Sequence, residues 1–224
     1  MPFADYFDRR SGRFARFYRS RPIARVLGRG ALFDRLDFAV ERSTALGALR
    51  VVDIGCGSGP LFRPLAARGV HVSGIEPAAG MVELAEQAAA DCDGLVDVTS
   101  IGWEQLGEWH TGEPFDVAIA LGVFDYVPNA GDLLATMGDI ARHSIASFPR
   151  PGLRTNLRKI RYGARGVSVH GYSRERIGSL ARASGMDTIE LAPLGRAGYI
   201  LLARNEPHRV RGARQPADDP ATRP

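Results

Sequence analysis

The residues "VVDIGCGSGP" (51–60) run from an apolar stretch straight into three alternating glycines, Gly55, Gly57 and Gly59. Such a stretch fits the end of a buried strand, and glycines at this spacing form a tight turn in which bare backbone approaches a ligand. A regular alternation follows. "RVVDI" (50–54), "VHVSGIE" (70–76), "LVDVTS" (95–100), "FDVAIAL" (115–121) and "SIASF" (144–148) read as strands, with helical patterns at 60–69, 78–90 and 130–142 among them. Near-continuous apolar strands alternating with helices define an α/β fold, a parallel sheet covered on both faces. Gly69, just past "LAAR", supplies a C-cap that ends the first of these helices.

The flanks behave differently. Residues 1–45 place Phe3, Tyr6, Phe7, Phe14, Phe17 and Tyr18 at helical spacing among arginines, which predicts two or three amphipathic helices ahead of the first strand. After residue 148 the alternation breaks: residues 149–171 are basic and rich in glycine and proline, longer than an ordinary connection and therefore a candidate for function. A helix is then expected from its N-cap Ser173 to Gly185, and "MDTIELAPL" with "GRAGYILLAR" reads as an antiparallel pair joined by a tight turn. Residues 205–224 are polar and proline-rich, and the expectation is a disordered tail. The organisation expected is thus an N-terminal helical lid (1–45), a ligand-binding core (46–204) with a basic insertion (149–171), and a tail (205–224).

Composition narrows the partners. At 224 residues and 45% hydrophobic the chain can bury one substantial core. No apolar run reaches the length of a membrane span, charges interrupt the N-terminus too often for a secretory signal, and a cytoplasmic protein is expected. The two cysteines, Cys56 and Cys92, form no disulfide framework, and without a CxxC or His/Cys cluster no metal is expected. The net charge of +4 is carried almost entirely by arginines spread along the chain, with no zinc-finger or RNP-like motif, which disfavours a nucleic-acid partner.

Three ligand types compete for the glycine turn. A phosphate loop requires a lysine that is absent here. A dinucleotide fingerprint requires a third glycine at position 60, where the chain has Pro60. Asp53, two residues before the first glycine, offers nothing to a pyrophosphate and suits a cation.

The spacing of Asp53, Gly55, Gly57 and Gly59 resembles the first motif, DxGxGxG, of class I S-adenosylmethionine-dependent methyltransferases. The resemblance extends over roughly residues 45–204 and implies a Rossmann-like methyltransferase fold, a seven-stranded, mostly parallel sheet with a final antiparallel strand and helices on both faces. It implies S-adenosylmethionine as cofactor, with the loop including Cys56 around its methionine end and Glu76, at the end of the second strand, accepting both ribose hydroxyls. Pro77 and Met81 of "GIEPAAGMVELA", together with Leu121 and Gly122 after the fourth strand, would border it. Gly102 occupies the place where the family usually carries an acid for the adenine amino group, so Trp103 is expected to stack on the adenine or to pack, and Glu104 is a replacement acceptor.

Methyl transfer demands alignment of donor and acceptor, and an oxygen or nitrogen acceptor also needs a base or polar anchor. Asp125 and Tyr126 are the catalytic candidates; Tyr6, Tyr18, Arg154, His170 and Tyr172 are the substrate candidates. The insertion's cations are read either as attracting an anionic acceptor or as a solvated helix face. "VFDYVP" and "ASFPR" also resemble, more distantly, small-molecule members near the magnesium-protoporphyrin methyltransferase branch, which implies a small-molecule acceptor. A nicotinamide-dependent oxidoreductase, and a protein that binds the sulfonium cofactor for other chemistry or none, stay as alternatives.

Overall fold

Strands that are apolar over most of their length need cover on both faces, and the chain supplies it from helices on either side of one sheet. The computed structural model describes Asp8, residues 30–164 and residues 166–206. Its strands are β1 (Arg50–Ile54), β2 (His71–Ile75), β3 (Val96–Thr99), β4 (Phe115–Ala120), β5 (Ala141–Pro149), β6 (Met186–Leu194) and β7 (Gly198–Asn205). They form a seven-stranded sheet in the order β3-β2-β1-β4-β5-β7-β6. The pairings among β1 to β5 are parallel, whereas β7 runs antiparallel to both β5 and β6. The chain leaves β1 towards β2 on one side and later places β4 on the other, so a crevice opens at the carboxyl ends of these strands, where α/β sheets take ligands.

The helices are α1 (Gly30–Ala45), α2 (Phe62–Ala66), α3 (Ala79–Ala89), α4 (Leu106–Trp109, preceded by a 3-10 turn at Trp103–Gln105), α5 (Ala130–Ile140), α6 (Leu153–Gly163) and α7 (Arg174–Ala183). Strand alternation sends successive side chains to opposite layers. Val52, Ala118, Leu133, Met137 and Leu201 build one core layer; Val51, Val117, Phe62, Ile145 and Leu202 build the other. Helix α1 contributes Phe33, Leu36, Ala39 and Val40 to the second layer. The part of the expected N-terminal lid that is described is therefore integral to the core; the expected helices before residue 30 lie outside the described residues. Among those residues no helix is long and apolar enough to cross a membrane.

The remaining features follow the local chemistry. Ser173 caps α7, its Oγ accepting from Arg176 N at 3.2 Å, and Gly69 takes a φ of +73° after α2. The basic insertion contains the eleven-residue α6, and one expectation is corrected. Asn205 is the last residue of β7 and is 6% exposed, so the sheet includes a residue assigned to the tail. Residues 207–224 lie outside the described residues.

Asn205 also explains why β5 starts three residues earlier than its apolar run suggests. Helix α5 passes into β5 with no loop, and Asn205 Nδ2 satisfies the carbonyl of Ala141 at 2.7 Å. The same amide group donates to Ser144 Oγ at 3.0 Å, and Asn205 Oδ1 lies 3.1 Å from that hydroxyl. Removing this side chain strands buried polar groups, which costs on the order of 1–3 kcal/mol. Asn205→Ala is expected to lower equilibrium stability in urea by about that amount, and Glu206→Ala, at an exposed neighbour, to change it by less than about 0.5 kcal/mol.

Candidate active site

The turn after β1 has the geometry that its glycines permit. Gly55, Gly57 and Gly59 have φ values of +67°, +57° and +72°, a region that side chains other than glycine rarely enter. Space reinforces the requirement at Gly55, where a Cβ would come within 2.7 Å of Val123 Cγ2. The amides of Gly55 and Cys56 donate to Ile75 O at 2.8 and 3.0 Å, pinning the turn to the end of β2.

Glu76 locks loop and strand together. Its Oε2 accepts from Gly57 N and its Oε1 from Ala78 N, each at 3.0 Å. A carboxylate oxygen has two acceptor positions, so this arrangement orients both oxygens and leaves capacity on each. Asp53 and Glu76 are 3% and 7% exposed and both line a cavity of about 340 Å³ at the carboxyl ends of β1, β2 and β4.

The expected cofactor residues converge on this cavity. Asp53, Gly55, Cys56 and Gly57 form one wall, with Glu76, Pro77 and Met81 beside them; Trp103, Leu121 and Gly122 line it as well. Gly122 is fixed by donating its amide to Ser147 Oγ at 2.8 Å. Gly59 is the exception: it does not line the cavity, and its bare Cα instead makes room for the buried ring of Phe62. Glu104 is exposed and absent from the wall, which corrects its role as an adenine acceptor. The Cys56 thiol is buried, and burial followed by the charge of Asp53 holds it protonated.

Asp125 and Tyr126 lie together on the cavity wall. Arg158 joins them from α6, its Nη2 donating to Asp125 Oδ2 at 2.5 Å and to the Tyr126 hydroxyl at 3.1 Å. The Arg158 guanidinium lies 5.8 Å from the ring centres of both Tyr126 and Tyr162, within range of cation–π attraction. Burial, and next the nearby Asp125, push the Tyr126 hydroxyl far above the ordinary tyrosine range, so it stays protonated.

Two substrate candidates fall behind the wall. The His170 amide donates to the Asp125 carbonyl at 2.9 Å, but its ring does not line the cavity. Tyr172 is 7% exposed and packs edge-on against Phe148, with ring centres 5.3 Å apart. Both serve the frame of the site. Tyr6, Tyr18 and the side chain of Arg154 lie outside the described residues.

Several wall residues lie outside the expected set, among them Arg35 on α1 and Tyr162 on α6, while Arg158 on α6 was expected only as one of the insertion's cations. Arg35 was signalled only by its position among Leu32 and Leu36, a charge within an apolar helix face. Arg158 and Tyr162 are four residues apart, hence neighbours on one face once the segment is helical. Without a helix boundary assigned in that segment, the pairing is not legible in the sequence.

Burial, with Glu76 alongside, pushes Asp53 up to about 7, while Arg35 opposes the shift. Glu76 is also raised by burial, against the pull of its two amide donors. A cavity with two buried carboxylates is arranged for a cationic ligand.

A family profile described as a methyltransferase domain matches residues 14–191. A ubiquinone biosynthesis O-methyltransferase from Azorhizobium caulinodans is 32% identical over 58% of this chain and 50% of its own length. One from Agrobacterium fabrum is 31% identical over 63% and 53% respectively. The chain thus spans about half the length of these curated relatives. The crystal structure of magnesium protoporphyrin IX methyltransferase from Synechocystis PCC 6803 with bound S-adenosylhomocysteine matches with a TM-score of 0.74 at 23% identity, covering 91% of this chain and 98% of that one. The chain belongs to the class I S-adenosylmethionine-dependent methyltransferase family, and its fold is the Rossmann-like fold of that family.

The raised Asp53 gives the ligand-free protein a pH signature. The folded state holds this proton up to about pH 7, whereas an ordinary aspartate carboxyl in water releases it near 3.8. Between those values the folded state binds more protons than the unfolded state, so stability falls as pH rises. Between pH 4 and pH 7 the melting temperature of the ligand-free parent is expected to change less favourably with rising pH than that of Asp53→Asn, the difference between the two calorimetric profiles being the contribution of this group.

Proposed function

We propose that the cavity binds S-adenosylmethionine and that the protein transfers its methyl group to an oxygen or nitrogen atom of a small-molecule acceptor. The reading rests above all on Glu76, whose two oxygens are oriented by the amides of Gly57 and Ala78 and line the cavity. A carboxylate fixed in this way suits a pair of neighbouring ribose hydroxyls. Asp53 supplies negative charge for the cationic end of the cofactor, and the bare turn at Gly55 and Gly57 allows close approach. Trp103, Met81 and Pro77 offer apolar surface to the adenine. Arg35, close enough to Asp53 to oppose its shift, is placed to receive the cofactor's carboxylate.

When bound, the cofactor supplies a methyl group on a sulfonium that leaves as a neutral thioether, so the protein need not form a covalent intermediate. The chain's own task is alignment and exclusion of water. Leu121 and Gly122 border the cofactor half; Asp125, Tyr126, Arg158 and Tyr162 face the acceptor half. Tyr126 accepts from Arg158 and keeps its own proton, which makes it a donor that anchors an acceptor oxygen or nitrogen. Asp125 is paired with Arg158, and the two together form a polar anchor. Helix α1, through Leu32, Arg35 and Leu36, forms the cover on the cofactor side. In the same proposal residues 46–204 form the cofactor-binding core.

The O-methyltransferase relatives support an oxygen acceptor. Titration calorimetry with S-adenosylhomocysteine is expected to show binding, weakened roughly 10- to 100-fold by Glu76→Ala because hydrogen bonds to a charged group are lost. No binding by the parent protein, or unchanged affinity in that variant, rejects the site. Tyr126→Phe is expected to leave this affinity within about twofold and to lower turnover by about tenfold or more, since its hydroxyl belongs to the acceptor half of the cavity and not to the cofactor half. The readout is incorporation of a labelled methyl group from the cofactor into a panel of phenolic, carboxylic and amine acceptors.

A further inference from the structure

Helix α6 presents its apolar side to water. Leu153, Leu157 and Ile160 are 83%, 66% and 74% exposed. Spaced four and three residues apart, they occupy an arc of about 60° on the helix surface. On the opposite side Thr155 and Tyr162 are buried, and Arg158 reaches Asp125 in the cavity wall. The other large exposed apolar side chains among the described residues, Leu49 and Ile189, sit singly before β1 and on edge strand β6. Scattered exposure of that kind carries no information, but a contiguous stripe does.

Charge identifies what the stripe meets. Residues 149–171 contain Arg150, Arg154, Arg158, Lys159, Arg161 and Arg165 and no aspartate or glutamate. Lys159 and Arg161, on either side of the stripe, are exposed. A helix with an aliphatic face bordered by cations and no anions matches the plane between acyl chains and acidic headgroups. A nucleic acid would engage the cations but leave the leucines in water.

We propose that α6 docks in the plane of an anionic phospholipid bilayer, with Leu153, Leu157 and Ile160 inserted at the acyl boundary and Lys159 and Arg161 among the phosphates. Because the opposite side of this helix carries Arg158 and Tyr162, docking places the acceptor half of the cavity beside the membrane surface. An acceptor that partitions into lipid then reaches the site without crossing water. The surface is separate from the cofactor-binding residues, and vesicle binding requires no turnover, so its failure leaves the methyl-transfer reading standing.

The test is flotation of the full chain with vesicles of equal parts phosphatidylcholine and phosphatidylglycerol, set against phosphatidylcholine alone. The protein is expected to float with the mixed vesicles and to bind the neutral ones at least about tenfold less, as removal of anionic lipid removes the attraction for its cations. Leu157→Glu with Ile160→Glu is expected to reduce flotation by about tenfold or more, because the apolar face can no longer insert. Unchanged affinity of that variant for S-adenosylhomocysteine shows that the fold is intact. Failure of the parent protein to float, or equal flotation of parent and double variant, overturns the proposal. So does light scattering that shows a dimer, dissociated by the double variant, with no vesicle binding: the stripe is then an interface between copies.

Discussion

The carboxylate of Glu76 is the joint on which the site depends. It accepts one amide from the glycine turn and one from the start of the connection to α3, so the ends of β1 and β2 are held at a fixed separation. The same group is buried next to Asp53, and each makes ionisation of the other less favourable. The architecture tolerates this because parallel strands deliver both residues to the same end of the sheet and a cation can compensate them. Asp53 and Glu76 are therefore costly to the ligand-free fold and useful to a ligand, a common arrangement at functional sites.

Much of this was legible in the sequence because it is local. The central strands are nearly continuous apolar runs, the turn glycines alternate within five residues, and Asp53 and Glu76 are placed by the strands they interrupt or follow. What stayed hidden depends on distant partners. Asn205 looks like the first residue of a polar tail until its amide is seen to satisfy the carbonyl of Ala141 at a helix-to-strand junction 64 residues earlier. Arg158 looks like one cation in a basic run until the helix turns it inward to Asp125, 33 residues away. His170 and Tyr172 show the converse: types suited to chemistry, and near the site in sequence order, yet occupied in supporting the backbone of Asp125 and the ring of Phe148. Residue type and local spacing reveal which strands end at a site, but not which side chains a later helix returns to it.

The acceptor half of the cavity follows a different electrostatic rule from the cofactor half. On one side two carboxylates compete, with Arg35 offsetting part of their charge. On the other, Arg158 is shared between a carboxylate and a tyrosine, so positive and negative charges are already matched. Partly buried pairs of this sort contribute little net stability but are costly to break if one partner is lost. Their value here is geometric, because the pair fastens α6 to the loop after β4 and so defines where the cavity ends.

That fastening gives α6 two roles that are physically linked. A helix of this composition, with three aliphatic side chains towards water, gains little from the core; Thr155, Arg158 and Tyr162 are what hold it against the domain. Thr155 closes on the carbonyl of Arg150 at 2.6 Å, just before the helix begins. A surface that takes up the exposed stripe would add stabilisation to the same helix that carries Arg158 and Tyr162, and would do so without touching the cofactor residues. Order in the acceptor half of the cavity is therefore tied to what covers the outer face of α6, while the cofactor half, built on β1, β2 and the amides around Glu76, is independent of it.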